Sequence, residues 1–454
     1  MAVMMQAFYW DAPQSEDKKG EWWNHLATQV EALGKSGITA LWLPPVNKAA
    51  SNESVGYDPY DYFDLGDFDQ KGGTKTLYGN RAELEALIKK AREHGIGCYA
   101  DMVINHNSGA DEEEVNPIDG QSRWTRFTPA SGRFPRDWNC FHPSRYEQQI
   151  YEGEAFGGFP HLCHTNPVVY AAMFEYARML IEELGFDGFR FDFVKGYGSY
   201  MINLLAKYSY ERDGKLGFMP YVVGEMWSGS DDINSWVDKV NRYTDNQIGA
   251  FDFPLRYKLK GVCDEPHFDL RQLTDGGSIV MKRPANAATF VDNHDMADNT
   301  IVNDKLMAYS FILVHEGYPC IFYYDYFNNQ LARSGTSNGI DALIQVHHKN
   351  AGGDSQILHA DPDLYIMQRV GWQDGKIDQP GLIYVLNNLG NQWSGTEVQT
   401  KWPNQRFAPA AWDGHGWTPE NGIQPNERHT DKDGRAEFPA PPRGYCVYVP
   451  IPDK

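Results

Sequence analysis

An alternation constrains this chain most. Short apolar runs, each long enough for one strand, take turns with segments whose apolar residues recur at helical spacing. Trp22, Leu26, Val30 and Leu33 line one face of a helix that Gly37 closes. Residues 38–43 follow as a strand ending at Pro44 and Pro45. Asn80 can cap a second helix with Leu84, Leu87, Ile88 and Ala91 on one face; His94 and Gly95 end it before a strand at 96–104. Asn166 and Pro167 make a good cap and first residue for a third helix, carrying Val169, Met173, Tyr176 and Leu180 and stopped by Gly185. Further strands are expected at 4–9, 186–194, 221–225, 248–253, 287–291 and 320–324, with a clear helix at 305–316. Near-continuous apolar strands separated by amphipathic helices are parallel strands covered by helices. Eight of them, counted from the N-terminus, is the number of a closed (β/α)8 TIM barrel.

The alternation breaks once. From about residue 107 to 163 the chain is rich in Gly, Pro, Ser, Asn and charge, and shows little periodicity. A segment that long is a functional loop or a small domain, and it leaves the end of the third strand, where barrel loops build active sites. After about Ser337 comes a short helical piece and then alternating segments at 364–370, 382–387 and 445–449, separated by turn residues. That tail reads as an antiparallel β domain. The expected division is a barrel of residues 1–106 and 165–340, an inserted domain at 107–164, and a C-terminal β-sandwich at 341–454.

Composition narrows the partners. A formal net charge of -20 argues against nucleic acid and anionic membrane, which attract positive patches. Aromatics at 14% suit surfaces that hold flat, weakly polar ligands such as sugars. No apolar run approaches the length of a membrane span, and the start, MAVMMQAFYW, lacks a basic region followed by a long apolar stretch. A cytoplasmic monomer is therefore expected, or a secreted one if the chain is a trimmed mature form. The six Cys show no repeated spacing and read as buried free thiols.

The chemistry lies at the strand ends. GFDGFRFDFVKG places Arg190 and Asp192 two residues apart, hence on one side of an aromatic strand, where an unpaired charge would cost several kcal/mol. The third strand ends at Asn105 and His106, the fourth at Lys195 and Gly196, the fifth at Glu225, Met226 and Trp227, the seventh at His294 and Asp295. In a barrel these ends share one face. Asp192, Glu225 and Asp295 would then meet with Arg190, His106 and His294. Metal-assisted hydrolysis is one use of such a set. Glycoside hydrolysis, with one carboxylate and one carboxylic acid across the scissile bond, is the other. Arg190 favours the second, because a cation beside Asp192 keeps it ionised as a nucleophile must be. Glu225, between Val223, Met226 and Trp227, is expected in an apolar setting that suits a general acid.

The motifs DMVINH (101–106), GFRFDFVKG (188–196), GEMW (224–227) and FVDNHD (290–295) resemble those of α-amylases of glycoside hydrolase family thirteen, the archaeal and plant types in particular. QAFYWD (6–11), GYDPYDYFDLG (56–66) and FDFPL (251–255) support the likeness, which runs from about residue 4 to 330 in one order. The resemblance implies a catalytic barrel, a small domain inserted after strand three and a C-terminal β-sandwich. It implies Asp192 as nucleophile, Glu225 as acid/base and Asp295 as the carboxylate on the sugar's 2- and 3-hydroxyls. Arg190 would partner the nucleophile, His106 and His294 would donate hydrogen bonds to the sugar, Tyr57 would lie beneath it, and Lys195 would touch the leaving-group side. The implied activity is retaining hydrolysis of internal α-1,4 bonds of starch, glycogen or maltodextrins. An exo-acting oligosaccharide-forming enzyme or a transglycosylase on the same scaffold is the nearer alternative, and a catalytically silent carbohydrate-binding homologue the more distant one.

The resemblance also implies a structural calcium, with Asn105 and the Gly196 carbonyl as ligands and Glu152 and Glu154 where others are expected. His161 stands where the family has an Asp, and an imidazole is a poor calcium ligand. His142, His161, Cys163 and His164 could instead suggest a soft metal, although their spacing matches no zinc pattern. Trp372, Trp393, Trp402, Trp412 and Trp417 are either sandwich core or a second glucan-binding surface.

Overall fold

The computed structural model describes residues 1–12, 19–147, 153–242, 247–373, 378–415 and 425–452. Eight parallel strands form a closed barrel. In chain order they are β1 (Met4–Gln6), β2 (Ala40–Trp42), β3 (Gly97–Met102), β4 (Gly188–Phe191), β5 (Tyr221–Gly224), β6 (Gly249–Phe251), β7 (Ala287–Phe290) and β8 (Tyr318–Phe322). The first seven lie inside their expected ranges and are shorter; β8 has the expected length but begins two residues earlier, at Tyr318 instead of Cys320. The missing ends, such as Val103 and Ile104, leave the sheet and lead into the loops that carry the chemistry.

The helix signals act as expected. Asn80 accepts from the Glu83 N–H at 3.0 Å while the Glu83 carboxylate accepts from the Asn80 N–H at 2.9 Å, a full capping box on the helix Arg81–Glu93. Asn166 caps the helix Pro167–Arg178 through the Val168 N–H. Gly185 turns the chain into β4 at φ +83°, a conformation that disfavours any side chain.

Two compact units make up the chain, residues 7–34 with 39–251 and residues 1–6 with 35–38 and 252–454. Within the first, strand register positions the chemistry. β3 and β4 pair in parallel so that Asp101 stands beside Arg190, and β4 and β5 pair so that Arg190 stands beside Val223. The inserted segment holds a hairpin of Glu112–Val115 and Ser122–Arg126. Its chain returns to the barrel through an antiparallel bridge between His106 and His161.

In the second unit, β1 pairs β8 and β8 pairs β7, both in parallel. The tail forms a six-stranded antiparallel sheet ordered Ser355–Ala360, Leu364–Arg369, Leu382–Asn387, Gly444–Ile451, Arg406–Asp413 and Arg428–His429. A second pair, Ser394–Gln399 with Arg435–Ala440, supplies Val398, Phe438 and Ala440 to a core shared with Ile366, Val385, Phe407, Trp412 and Tyr448 of the large sheet. Alternation had marked three strands of this tail. Ser355–Ala360, Ser394–Gln399 and Arg435–Ala440 are partly buried and mix polar with apolar residues, so periodicity gave no signal. Arg406–Asp413 was missed as well, its alternation broken at Pro409, where the register shifts. Trp412 is core and Trp402 packs against it, whereas Trp372 is exposed; Trp417 lies outside the described residues. All six Cys are buried free thiols. Among the described residues no helix is long and apolar enough to cross a membrane.

Candidate active site

Arg190 organises the chemistry of the first unit. Its side chain is 1% exposed, and its guanidinium meets three carboxylates. Nη1 donates to Asp101 Oδ1 and to Asp192 Oδ1, both at 2.8 Å, and Nη2 lies 2.8 Å from Glu225 Oε1. The Trp42 ring centroid is 4.8 Å from the guanidinium carbon. Burial alone would lower the Arg190 pKa; Asp101, Glu225, Tyr57 and Asp192 outweigh it and hold the pKa well above the usual arginine range. A fixed cation is what a planar fork supplies and an ammonium does not.

Asp101 is the residue that sequence reasoning passed over. Its second oxygen accepts from Trp42 Nε1 at 3.0 Å and from the Tyr57 hydroxyl at 2.8 Å. With Trp42 and Tyr57 fixing it, Asp101 fixes Arg190 in turn. The argument that singled out Arg190 and Asp192, a charge inside an apolar strand, applied equally to Asp101.

Glu225 corrects one expectation. Its carboxylate is not in the apolar setting that Val223, Met226 and Trp227 suggested. Oε1 faces Arg190, and Oε2 accepts from the Phe193 N–H at 3.0 Å. That N–H points at Glu225 because Phe193 is left-handed, with φ +43° and ψ +51°, immediately after Asp192. A non-glycine residue there carries strain of roughly 1–2 kcal/mol, the kind that collects at functional sites. The Asp192 N–H donates to the Met102 carbonyl at 3.1 Å, and the Tyr197 hydroxyl donates to the Asp192 carbonyl at 3.2 Å.

Around this group, Tyr57 lies parallel to the exposed Trp10, with ring centroids 6.1 Å apart and planes 7° from parallel. His106 is buried, and its Nε2 donates to the Tyr57 carbonyl at 2.8 Å. Phe156 and Phe159 stack near its ring at 4.7 and 5.2 Å. Burial, opposed by that carbonyl, lowers the His106 pKa, so the ring is neutral at neutral pH. Lys195 is half-buried, with Nζ 5.7 Å from the Phe193 ring.

In the second unit, Gln6 at the end of β1 meets His294 Nδ1 through its amide nitrogen at 2.9 Å. That donation leaves the ring proton on Nε2, which lies 3.2 Å from Asp295 Oδ2. His294 is buried and the Asp295 side chain is 30% exposed, so the histidine orients a carboxylate that remains open to solvent.

The calcium expectation fits poorly. Asn105 Oδ1 is buried without a hydrogen-bond partner among the described residues, and a Cβ on Gly196 would meet it at 2.1 Å. That is one hard donor. The Glu154 side chain is exposed while its N–H donates to the Lys195 carbonyl at 3.2 Å, and Glu152 lies outside the described residues. His161 remains a poor ligand for calcium, which takes six to eight oxygens. Among the described residues no three His, Cys, Asp or Glu side chains gather to hold a metal, which also leaves the soft-metal alternative without support. His164 instead bonds the Ile104 carbonyl at 2.9 Å.

Residues 14–356 match the family description "Alpha amylase, catalytic domain", and residues 382–449 match "Alpha-amylase C-terminal". The chain is 30% identical to the alpha-amylase of Bacillus licheniformis, over 91% of this chain and 90% of that protein. It is 31% identical to the glucan 1,4-alpha-maltohexaosidase of Bacillus sp. (strain 707), over 86% and 83%. The fold is shared with the alpha-amylase of Geobacillus thermoleovorans solved with acarbose, at a TM-score of 0.69, 18% identity and coverage of 100% and 98%.

Proposed function

Because the chain belongs to the alpha-amylase family by its catalytic domain, we propose that it is a retaining, endo-acting α-1,4-glucan hydrolase. The observation that carries the mechanism is the shared guanidinium: Asp192 and Glu225 each lie 2.8 Å from a terminal nitrogen of Arg190. Two carboxyl groups held that close suit the retaining separation of roughly 5–5.5 Å better than the wider inverting one.

In the proposed reaction Glu225, protonated, gives its proton to the glycosidic oxygen as Asp192 attacks the anomeric carbon. The bond to the leaving chain breaks and a glycosyl ester forms on Asp192. Glu225 is then a carboxylate, and Arg190 and the Phe193 N–H are placed to receive that charge. Asp192 has meanwhile lost its charge to the ester, so the guanidinium faces the same number of anions, the charge having moved from Asp192 to Glu225. Glu225 next takes a proton from water, the water attacks the anomeric carbon, and Asp192 leaves with overall retention.

We assign Asp295 to the sugar's 2- and 3-hydroxyls, with His294 orienting it. Tyr57 and its partner Trp10 form the platform, His106 braces Tyr57 by donating from Nε2 to the Tyr57 carbonyl in place of the expected donation to the sugar, and Lys195 serves the leaving chain. The division into residues 1–106 with 165–340, 107–164 and 341–454 is part of the same proposal. No step is routed through calcium, because the described donors do not make a cage for it.

The test of endo action is a maltoheptaoside blocked at its non-reducing end. Cleavage to internal products supports the reading; cleavage only of the unblocked substrate, with one dominant product length, would establish the exo-acting alternative that the maltohexaosidase relative suggests. A silent homologue would cleave neither.

A further inference from the structure

Among the described residues of the C-terminal region, Trp372 is an exposed tryptophan, with 55% of its surface open. It sits in a two-residue strand paired with Asp378–Gln379. It borders a cavity of about 730 Å³, a size that admits a small ligand, lined also by Glu316, Gly352, Asp354, Arg369 and Gln379. The cavity opens beside Pro284 and Ala285, which precede β7, and Gly317, which precedes β8. Asp295 follows β7, so the cavity and Asp295 lie at opposite ends of that strand.

The cavity's wall is made of backbone packed too closely for side chains. A Cβ on Gly352 would meet Gln379 Oε1 at 2.6 Å and Trp372 Cβ at 3.1 Å; one on Gly353 would meet the Gly371 carbonyl at 2.3 Å. Gly371 has φ +83° and donates to the Gly352 carbonyl at 2.8 Å. These glycines hold the ring's strand against the wall, so the indole stands out from a rigid base.

The charges of the wall specify its ligand. Arg369 is buried, and each of its three nitrogens donates to a backbone carbonyl: Nε and Nη2 to Gly353 and Nη1 to Val314. Glu316 accepts from the Ser355 N–H and hydroxyl. The Gln379 amide nitrogen donates to the His348 carbonyl, leaving Oε1 on the Gly352 side. What remains for a ligand is acceptors: the exposed Asp354 carboxylate and Gln379 Oε1. The cation is engaged with carbonyls, so an anion finds repulsion from Glu316 and Asp354. A ligand rich in hydroxyl donors, uncharged, and presenting a flat C–H face to the indole satisfies this set.

We propose that this cavity is a second binding site for an α-glucan chain, with Trp372 as the stacking platform and Asp354 and Gln379 as hydroxyl acceptors. The assignment of an α-glucan, rather than another polyol, rests on the function proposed above. The site would tether the enzyme to a polymer while leaving short substrates unaffected.

The test is electrophoresis of the full chain carrying Glu225→Gln through gels with and without glycogen, compared with the same chain carrying Trp372→Ala as well. Glu225→Gln alone is expected to be retarded by glycogen, and the added Trp372→Ala to weaken that retardation about fivefold, the scale of one lost aromatic contact. Asp354→Ala, at an exposed position, is expected to weaken it less. In the otherwise active enzyme, Trp372→Ala is expected to leave kcat/KM on a short malto-oligosaccharide unchanged. Retardation independent of Trp372 and Asp354 would overturn the site while leaving the catalytic reading intact. A parallel loss of short-substrate turnover would overturn it by giving Trp372 a structural role. Absence of both turnover and retardation in the unsubstituted enzyme would overturn the function and the site together.

Discussion

Arg190 Nη2 stands 2.8 Å from Oε1 of Glu225, and Nη1 of the same guanidinium holds Asp192 and Asp101 at 2.8 Å. The proposed acid/base and nucleophile are thus tied to each other through one planar cation. Lysine keeps the charge but cannot span three carboxylates from one nitrogen. Arg190→Lys is expected to lower kcat on a malto-oligosaccharide about 10²–10³-fold, the scale for removing one preorganised electrostatic donor, while changing KM little. Steady-state kinetics with a parallel melting curve checks this, and a KM effect with kcat preserved would contradict it.

Asp101 acts through Arg190, without a direct role in the reaction. Asp101→Asn keeps the shape but turns an acceptor into a donor facing either Arg190 or the Trp42 and Tyr57 donors. A fall in kcat of about tenfold is expected, and Trp42→Phe is expected to cost less. Because both act on the orientation of one guanidinium, the double variant should lose less than the sum of the singles. Additive losses would show that Trp42 does not act through Asp101.

Burial holds His347 neutral. Its pKa is pushed down to about 3, against the Leu313 carbonyl that its Nδ1 meets at 2.8 Å and with help from nearby His348. The folded pKa lies below the unfolded value, so the histidine's contribution is present above about pH 6.5 and is lost as pH falls toward 3. Between pH 7 and pH 5 it should account for about 2 kcal/mol of lost stability. His347→Leu is expected to flatten the pH dependence of urea unfolding by that amount, whatever its effect at pH 7. An unchanged slope would contradict the assignment.

The capping box at Asn80 gives a local test. Asn80→Ala removes the acceptor for the Glu83 N–H and should cost about 1 kcal/mol, with Asn80→Ser recovering most of it. Chemical unfolding measures both. An equal cost for Ala and Ser would assign the loss to packing rather than to the cap.

Much of this was readable in the sequence, for identifiable reasons. Helix ends carried explicit chemistry at Asn80, Asn166 and Gly185, and the barrel strands carried apolar runs that nothing but a covered parallel sheet explains. Arg190, Asp192 and Glu225 were visible because charge inside an apolar run is costly. What could not be read was pairing. Sequence spacing linked Arg190 to Asp192 two residues away, but its bonds to Asp101 and Glu225 come from the register of β3, β4 and β5 and from the left-handed turn at Phe193. Those depend on how separate strands align. The partly buried strands of the tail, such as Ser394–Gln399, were missed because their mixture of Ser, Gly, Thr, Glu and Val carries no clear alternation.

The central claim is that Asp192 and Glu225 work as a retaining pair. Proton NMR of a malto-oligosaccharide of defined length, followed before mutarotation, tests it most directly. The unsubstituted enzyme is expected to release the α-anomer first, and Glu225→Gln to release none on the same timescale. Early β-anomer would contradict the retaining mechanism, and undiminished α-anomer from Glu225→Gln would remove Glu225 from its proposed role.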